Sequence, residues 1–180
     1  DEADPSAIAL MEMTFRDQLP DFHYVIFSDY VRGSLIHVQE LIQAAAAAKS
    51  LALVDPKGHD YHKYAGADLV KPNTDELRSM VGGWSSEEKL TAKVEALLYD
   101  TKIHRLLLTR AAEGMTLFTL GARYDYPAVA KEVYDVTGAG DTAIATMAVA
   151  LSRGCAWGEA VHYANKAAGI VCGRFGTAVA

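Results

Sequence analysis

The sequence predicts an α/β fold, a doubly wound and mainly parallel sheet with helices on both faces. Three observations predict it. Apolar runs at 24–27, 51–54, 68–71 and 105–108 have the composition of buried parallel strands. Between them lie stretches whose apolar residues recur at helical spacing, so strands and helices alternate. Each strand-like run also ends in polar residues, and ligands of such sheets bind beyond the carboxyl ends of the strands.

Asp4 and Pro5 read as the N-cap and first position of a helix to about residue 18, broken by Leu19-Pro20. The strand at 24–27 ends in Ser28-Asp29-Tyr30. Ser34 is expected to cap the next helix, with Leu35, Val38, Leu41, Ile42 and the following alanines on its apolar face. The strand at 51–54 ends in Asp55-Pro56-Lys57-Gly58, and that at 68–71 in Pro72-Asn73-Thr74-Asp75-Glu76. A short helix runs from there to Met80, closed by Gly82-Gly83. Ser86 caps a helix through about Tyr99, with Leu90, Val94, Leu97 and Leu98 inward. The strand at 105–108 ends in Thr109-Arg110; Gly114 introduces a hairpin partner at 115–120, and Gly121 turns the chain towards 124–126. Residues 131–133 lead into a glycine-rich stretch, and a last helix over 158–173 carries Val161, Ala164, Ala168 and Val171 on one small-residue face.

The glycine-rich stretch runs Tyr134-Asp135-Val136-Thr137-Gly138-Ala139-Gly140-Asp141-Thr142. Ile144, Met147, Ala148 and Leu151 follow at helical spacing, so a helix starts near Asp141. Gly138 and Gly140 let the backbone turn tightly, which leaves the first helical N–H groups pointing forward as an anion site. A carboxylate there repels an anion. It makes sense if Asp141 takes a proton from a hydroxyl while the N–H groups hold the anion that the hydroxyl attacks. The alternative is that Asp141 caps the helix, and this stretch alone favours neither.

The other strand ends move the balance towards chemistry. Asn73 and Glu76 stand three apart at a strand-to-helix junction and suit Mg²⁺ through its waters, the alternative being a capping pair. Lys57 and Arg110 sit at the same crest, placed to meet anionic groups of either substrate. Together these residues suit phosphoryl transfer, in which catalysis is mostly positioning and charge neutralisation.

Composition narrows the classes. With 180 residues, 51% of them hydrophobic, the chain makes one globular domain or a large piece of one. A net charge of -6 and the lack of a Lys/Arg run argue against nucleic acid as a partner. No apolar stretch is long enough to span a membrane. Cys155 and Cys172 form no metal or redox motif and read as reduced thiols of a cytoplasmic protein. The six histidines read as surface or loop residues, and there is no Walker A sequence, HExxH or nucleophile elbow. A dinucleotide-binding domain is disfavoured because the glycines come late and the third is lacking. The chain opens on Asp-Glu-Ala-Asp without Met or a signal pattern, and is expected to be a processed or truncated product.

The stretch from Asp135 to Thr142 resembles the C-terminal signature of the PfkB, or ribokinase-like, carbohydrate kinases, and Asn73-x-x-Glu76 resembles their Mg²⁺/phosphate motif. The resemblance implies Asp141 as catalytic base, Gly138, Ala139 and Gly140 as the anion hole, and Asn73 and Glu76 as the residues that manage Mg²⁺. Thr109 and Gly114 resemble the nucleotide-side Thr-x-Gly-x-x-Gly turn, with Ala111 where the middle glycine is usual. Asn165 resembles the helix position beside the adenine. Lys57 and Arg110 are assigned to sugar or nucleotide phosphates from charge and position alone. Ser28-Asp29-Tyr30, Asp55-Pro56-Lys57-Gly58, Pro72-Asn73, Leu108-Thr109-Arg110 and Gly173, Gly176, Thr177 and Ala178 complete a pattern similar to the heptose 7-phosphate kinase branch of that family. This implies ATP-dependent phosphorylation of heptose 7-phosphate at its anomeric hydroxyl, in lipopolysaccharide core biosynthesis. The alternatives are a kinase of ribose, fructose or a fructose phosphate, and a nucleotide-binding piece inactive on its own. Kinases of this family are about twice as long, so residues 1–180 are expected to be the C-terminal, catalytic part of one kinase domain. The amino-terminal strands, lid and most sugar contacts would lie elsewhere, a homodimer is expected, and the resemblance to the kinase half of a bifunctional protein leaves open a nucleotidyltransferase domain in the parent chain.

Overall fold

Helix α1 (Pro5–Gln18) leads to strand β1 (Tyr24–Ser28), helix α2 (Val38–Ala47), strand β2 (Leu51–Asp55) and strand β3 (Leu69–Val70). Helices α3 (Thr74–Val81) and α4 (Glu87–Thr101) follow, then strands β4 (Leu106–Thr109), β5 (Met115–Thr119) and β6 (Ala122–Tyr126). Helices α5 (Ala139–Ser152) and α6 (Trp157–Cys172) end the order. The structure is a computed structural model that describes residues 4–31, 33–129 and 138–172. The expected lead-in strand at 131–133, residues Tyr134–Thr137 of the glycine-rich stretch, and Gly173, Gly176, Thr177 and Ala178 lie outside the described residues.

Among the described residues, six strands lie side by side in chain order. Strands β1 to β4 are parallel, and β5 and β6 add to β4 as an antiparallel meander. Parallel neighbours require crossovers, and crossovers of one hand that always move the same way lay their helices on one face. Alternation along the strands divides the core accordingly. Ala52, Val54, Val70, Leu106 and Leu108 pack with the apolar residues of α2, α3 and α4. Leu53, Leu69, Leu107, Met115 and Leu117 pack instead against α5 and α6. Both faces are thus covered, the second by the two helices that follow the meander.

Local signals explain most boundaries. Asp4 accepts the Ser6 amide and Pro5 opens α1; Ser86 accepts the Lys89 amide at the start of α4. Ser34 does not cap α2, contrary to expectation. Ile36, Val38 and Glu40 donate to the carbonyls of Gly33, Leu35 and His37, so short i→i+3 turns occupy the amides before the helix starts at Val38. Strand β3 is also shorter than the run at 68–71, although the Asp68 and Lys71 amides still donate to Ala52 and Val54 across the sheet.

Candidate active site

Because β1 to β4 are parallel, their carboxyl ends meet on one edge. There the chain forms a cavity of about 470 Å³, completed by the start of α5 and one side of α6. Asp29, Asp55, Lys57, Asn73, Glu76, Thr109, Gly114, Gly140, Asp141 and Asn165 all line it, together with Ala139. The polar strand ends singled out from sequence therefore converge on one cleft.

Helix α5 opens it. Gly138 stands at the N-cap with φ 79°, a left-handed conformation that glycine adopts without strain, and among the described residues no side chain caps the helix. Asp141 lies in the first turn and not at the capping position, and its side chain is exposed towards the cleft. The first amides of α5 therefore face the cavity with a carboxylate at their rim.

Lys71, which carried no role in the sequence reading, forms the floor. It is 3% exposed, and its Nζ lies 3.1 Å from Asp55 Oδ1. A Cβ on Gly140 would come within 3.0 Å of the same Nζ. Burial pushes the Asp55 carboxyl above the usual range; Lys71 opposes that rise, and the charges of Glu76 and Asp141 add to it.

At the mouth of β1, Asp29 gathers three donors: Lys63 Nζ at 2.6 Å, the Tyr64 hydroxyl at 2.7 Å and the Val31 amide at 2.7 Å. Burial raises the Asp29 carboxyl, but these bonds outweigh it and hold it below the usual carboxylate range. A depressed folded value means stability present above the unfolded value, near 3.9, and lost as pH falls through the folded one. Asp29→Asn should thus lower stability by on the order of 2 kcal/mol at pH 7. In urea melts the gap between native and variant should hold from pH 7 to about pH 4 and narrow as the pH falls further; a gap independent of pH down to full protonation would contradict the assignment.

Asn73 and Glu76 form a reciprocal capping pair, the alternative to a Mg²⁺ pair at this spacing. Asn73 Oδ1 accepts the Glu76 amide at 2.8 Å, and Glu76 Oε2 accepts the Asn73 amide at 2.9 Å. Glu76 Oε1 remains for the cleft and pairs with Lys57 Nζ, a bond that raises the Lys57 ammonium above its usual range. The Asn73 oxygen is thus spent on the helix, while Glu76 presents one oxygen to the cavity. Among the described residues no three His, Cys, Asp or Glu side chains converge as a metal cluster.

The opposite wall is built by β4, β5 and α6. The Thr109 amide donates to Pro72, which ties the β4 end to the turn before α3. Gly114 has φ 97°, and a Cβ there would lie 2.1 Å from the Tyr126 carbonyl oxygen. Ala111 takes φ 47°, so this turn needs the left-handed backbone even though a non-glycine residue supplies it. Asn165 is buried and its Nδ2 donates to the Pro127 carbonyl at 2.8 Å, which fixes the segment leaving β6 against α6.

Arg110 is the predicted residue that the structure turns elsewhere. Its guanidinium forks onto Glu87 at 2.8 and 3.0 Å and pairs with Glu113 at 2.6 Å, and it does not line the cavity. The bidentate geometry of a carboxylate at the start of α4 outcompetes an open crest position. Sequence spacing could not reveal this, since Glu87 is 23 residues away.

A model of the pfkB family of carbohydrate kinases matches residues 6–180. The D-beta-D-heptose 7-phosphate kinase of Bordetella bronchiseptica is 44% identical over 176 residues, which is 98% of this chain and 56% of that protein. The bifunctional protein HldE of Pectobacterium atrosepticum is 46% identical over 160 residues, 88% of this chain and 34% of that protein. The chain spans about half or less of the length of these relatives. The solved structure of Arabidopsis thaliana ribokinase complexed with ribose and ATP matches with a TM-score of 0.76 at 22% identity, over 98% of this chain and 55% of that one. At such identity the likeness bears on the fold alone, and the fold is ribokinase-like. The sequence match and the architecture agree, and the chain belongs to the pfkB family of carbohydrate kinases.

Proposed function

We propose that this chain is the C-terminal, nucleotide-binding and catalytic part of a kinase that transfers the γ-phosphoryl group of ATP to the anomeric hydroxyl of heptose 7-phosphate. The observation that carries the reading is the start of α5, with Asp141 in its first turn, opening into the same cleft as Asp55, Lys57 and Glu76. The likeness to the Bordetella heptose 7-phosphate kinase supports the choice of sugar.

Asp141 takes the proton of the sugar hydroxyl as its oxygen bonds to the γ-phosphorus. The bond from that phosphorus to the β–γ bridging oxygen breaks, and ADP leaves with the electron pair. The amides of Gly138, Ala139 and Gly140 hold the oxygens of the travelling group. The nucleotide lies along the wall of Thr109, Gly114 and Asn165, and Lys57 faces a phosphate of either substrate. Arg110 serves from outside the cleft, tying the 110–114 turn to the start of α4.

Hard oxygen donors facing the cleft suit Mg²⁺: Glu76 presents there the oxygen it shares with Lys57, and Asp55 lies on the same floor, while Asn73 holds Glu76 in place. Mg²⁺ held by these residues would supply positive charge against the nucleotide phosphates. The remaining length of the relatives is where the sugar pocket and lid belong. A nucleotidyltransferase domain in the parent chain, a homodimer, a cytoplasmic location and a place in lipopolysaccharide core synthesis complete the reading.

The test is turnover by the full encoded protein with Mg-ATP and a panel of heptose 7-phosphate, ribose, fructose and fructose 6-phosphate. The heptose should lead in kcat/KM by at least about 100-fold. A lead for another sugar would move the assignment within the family. Because the chain spans about half its relatives, a nucleotide-binding piece without turnover is the second reading. Calorimetric binding of Mg-ATP by the 180-residue chain, with no ADP formed from any sugar, would favour it.

A further inference from the structure

Lys71 is buried in the transfer cleft at a place where helix stability alone would exclude it. Its backbone amide still donates to Val54 across the sheet, so the residue is held in the ladder and its side chain rises from a rigid strand end. The ammonium lies beneath Gly140, the second residue of α5, and among the described residues Asp55 is its one ion-pair partner, at 3.1 Å. The start of a helix is the positive end of its dipole, where a cation is unfavourable and an anion is stabilised. Burying an ammonium at that end adds a second cost, desolvation, that one carboxylate only partly offsets. Of the other carboxylates at the cleft, Glu76 is engaged by Lys57 and its own helix cap, and Asp141 stands at the exposed rim. An ammonium has three donors, and Asp55 occupies one face of it. The combination concentrates positive potential at one point, under the amides of α5.

We propose that Lys71 is a further residue of the transfer reaction: a buried ammonium, positioned by Asp55, that stabilises charge on the phosphoryl group as it crosses the start of α5. Gly140 belongs to the same device. Its backbone is not in the left-handed region, so conformation does not demand glycine; an added methyl carbon would instead stand 3.0 Å from the ammonium and press it out of place. The proposal rests on the phosphoryl-transfer reading given above, and deepens it.

The test uses the full encoded protein with Mg-ATP and heptose 7-phosphate, and compares Lys71→Met, Gly140→Ala and the double variant with native protein and with Asp141→Asn. Lys71→Met should lose about 100-fold in kcat with the KM for ATP within about threefold, the pattern of an interaction made in the transition state. Gly140→Ala should lose about tenfold in kcat while its Tm stays level or rises, since alanine is the better helix former. The double variant should be no worse than Lys71→Met alone, because both act through one ammonium. A folded Lys71→Met within threefold of native kcat, while Asp141→Asn is inactive, would overturn the role of Lys71 and leave the kinase reading standing. No turnover by native protein would sink the kinase reading itself, and this proposal with it. If Lys71→Met does not fold, Gly140→Ala decides alone: native kcat in that variant overturns the proposal.

Discussion

Asp141→Asn should lower kcat of the full encoded protein by about 10³-fold while leaving the fold and the nucleotide site intact. The amide matches the carboxylate in shape but cannot take up the proton of the attacking hydroxyl. Asp141 is exposed in the first turn of α5, so losing its charge at the helix start should cost about 0.3–1 kcal/mol and no more. Unfolding therefore cannot mimic the kinetic loss. The KM for ATP carries a second expectation of definite sign. A carboxylate at the rim of an anion site repels phosphate, so the asparagine variant should bind ATP as well as native protein or better. Retained kcat with weakened ATP binding is the opposite pattern, and would assign Asp141 to binding.

Gly114→Ala should destabilise the protein by roughly 3–4 kcal/mol, the largest expected effect on stability. An added Cβ would lie 2.1 Å from the Tyr126 oxygen, 2.5 Å from the Ala128 nitrogen and 2.7 Å from the Pro127 carbon. All three are backbone atoms, so no rotamer change relieves the overlap, and φ at this position is 97°. Asn165 grips the same segment through the Pro127 carbonyl, so moving it should also disturb the nucleotide wall. Gly121→Ala is the matched control. Its φ is 79° but nothing lies within 4 Å, so only the left-handed conformation is penalised, at about 1–2 kcal/mol. Urea denaturation of the two variants separates clash from conformation; equal losses would mean that the segment after β6 yields freely.

Features whose causes are local were the ones legible in the sequence. Asp4-Pro5 and Ser86 announce α1 and α4 because a cap and its amide are neighbours in the chain. The apolar strands were legible because both their faces are buried, one against α2 to α4 and the other against α5 and α6. Ser34 misled, since turns that cap with backbone carbonyls leave no side-chain signature. At the cleft, strand-end position identified Asp55, Lys57, Glu76 and Asp141, all of which line it. What sequence could not supply were the partners. Lys63 and Tyr64 reach Asp29 from 34 and 35 residues away, and Glu87 draws Arg110 out of the cleft. Lys71 could have been suspected from one clue: a charged residue immediately after an apolar run, at the edge where the other polar ends collect.

If the start of α5 receives the transferring phosphate, its first amides must respond to the nucleotide. Backbone amide spectra of the full encoded protein, recorded as Mg-ATP is added, test it most directly. The largest shifts should fall at Gly138, Ala139, Gly140 and Asp141, with Gly114 following, and little change at Gly154 beyond the far end of α5. Saturable shifts centred on Gly154 and the opposite edge of the sheet, with the amides of α5's first turn unmoved, would contradict it.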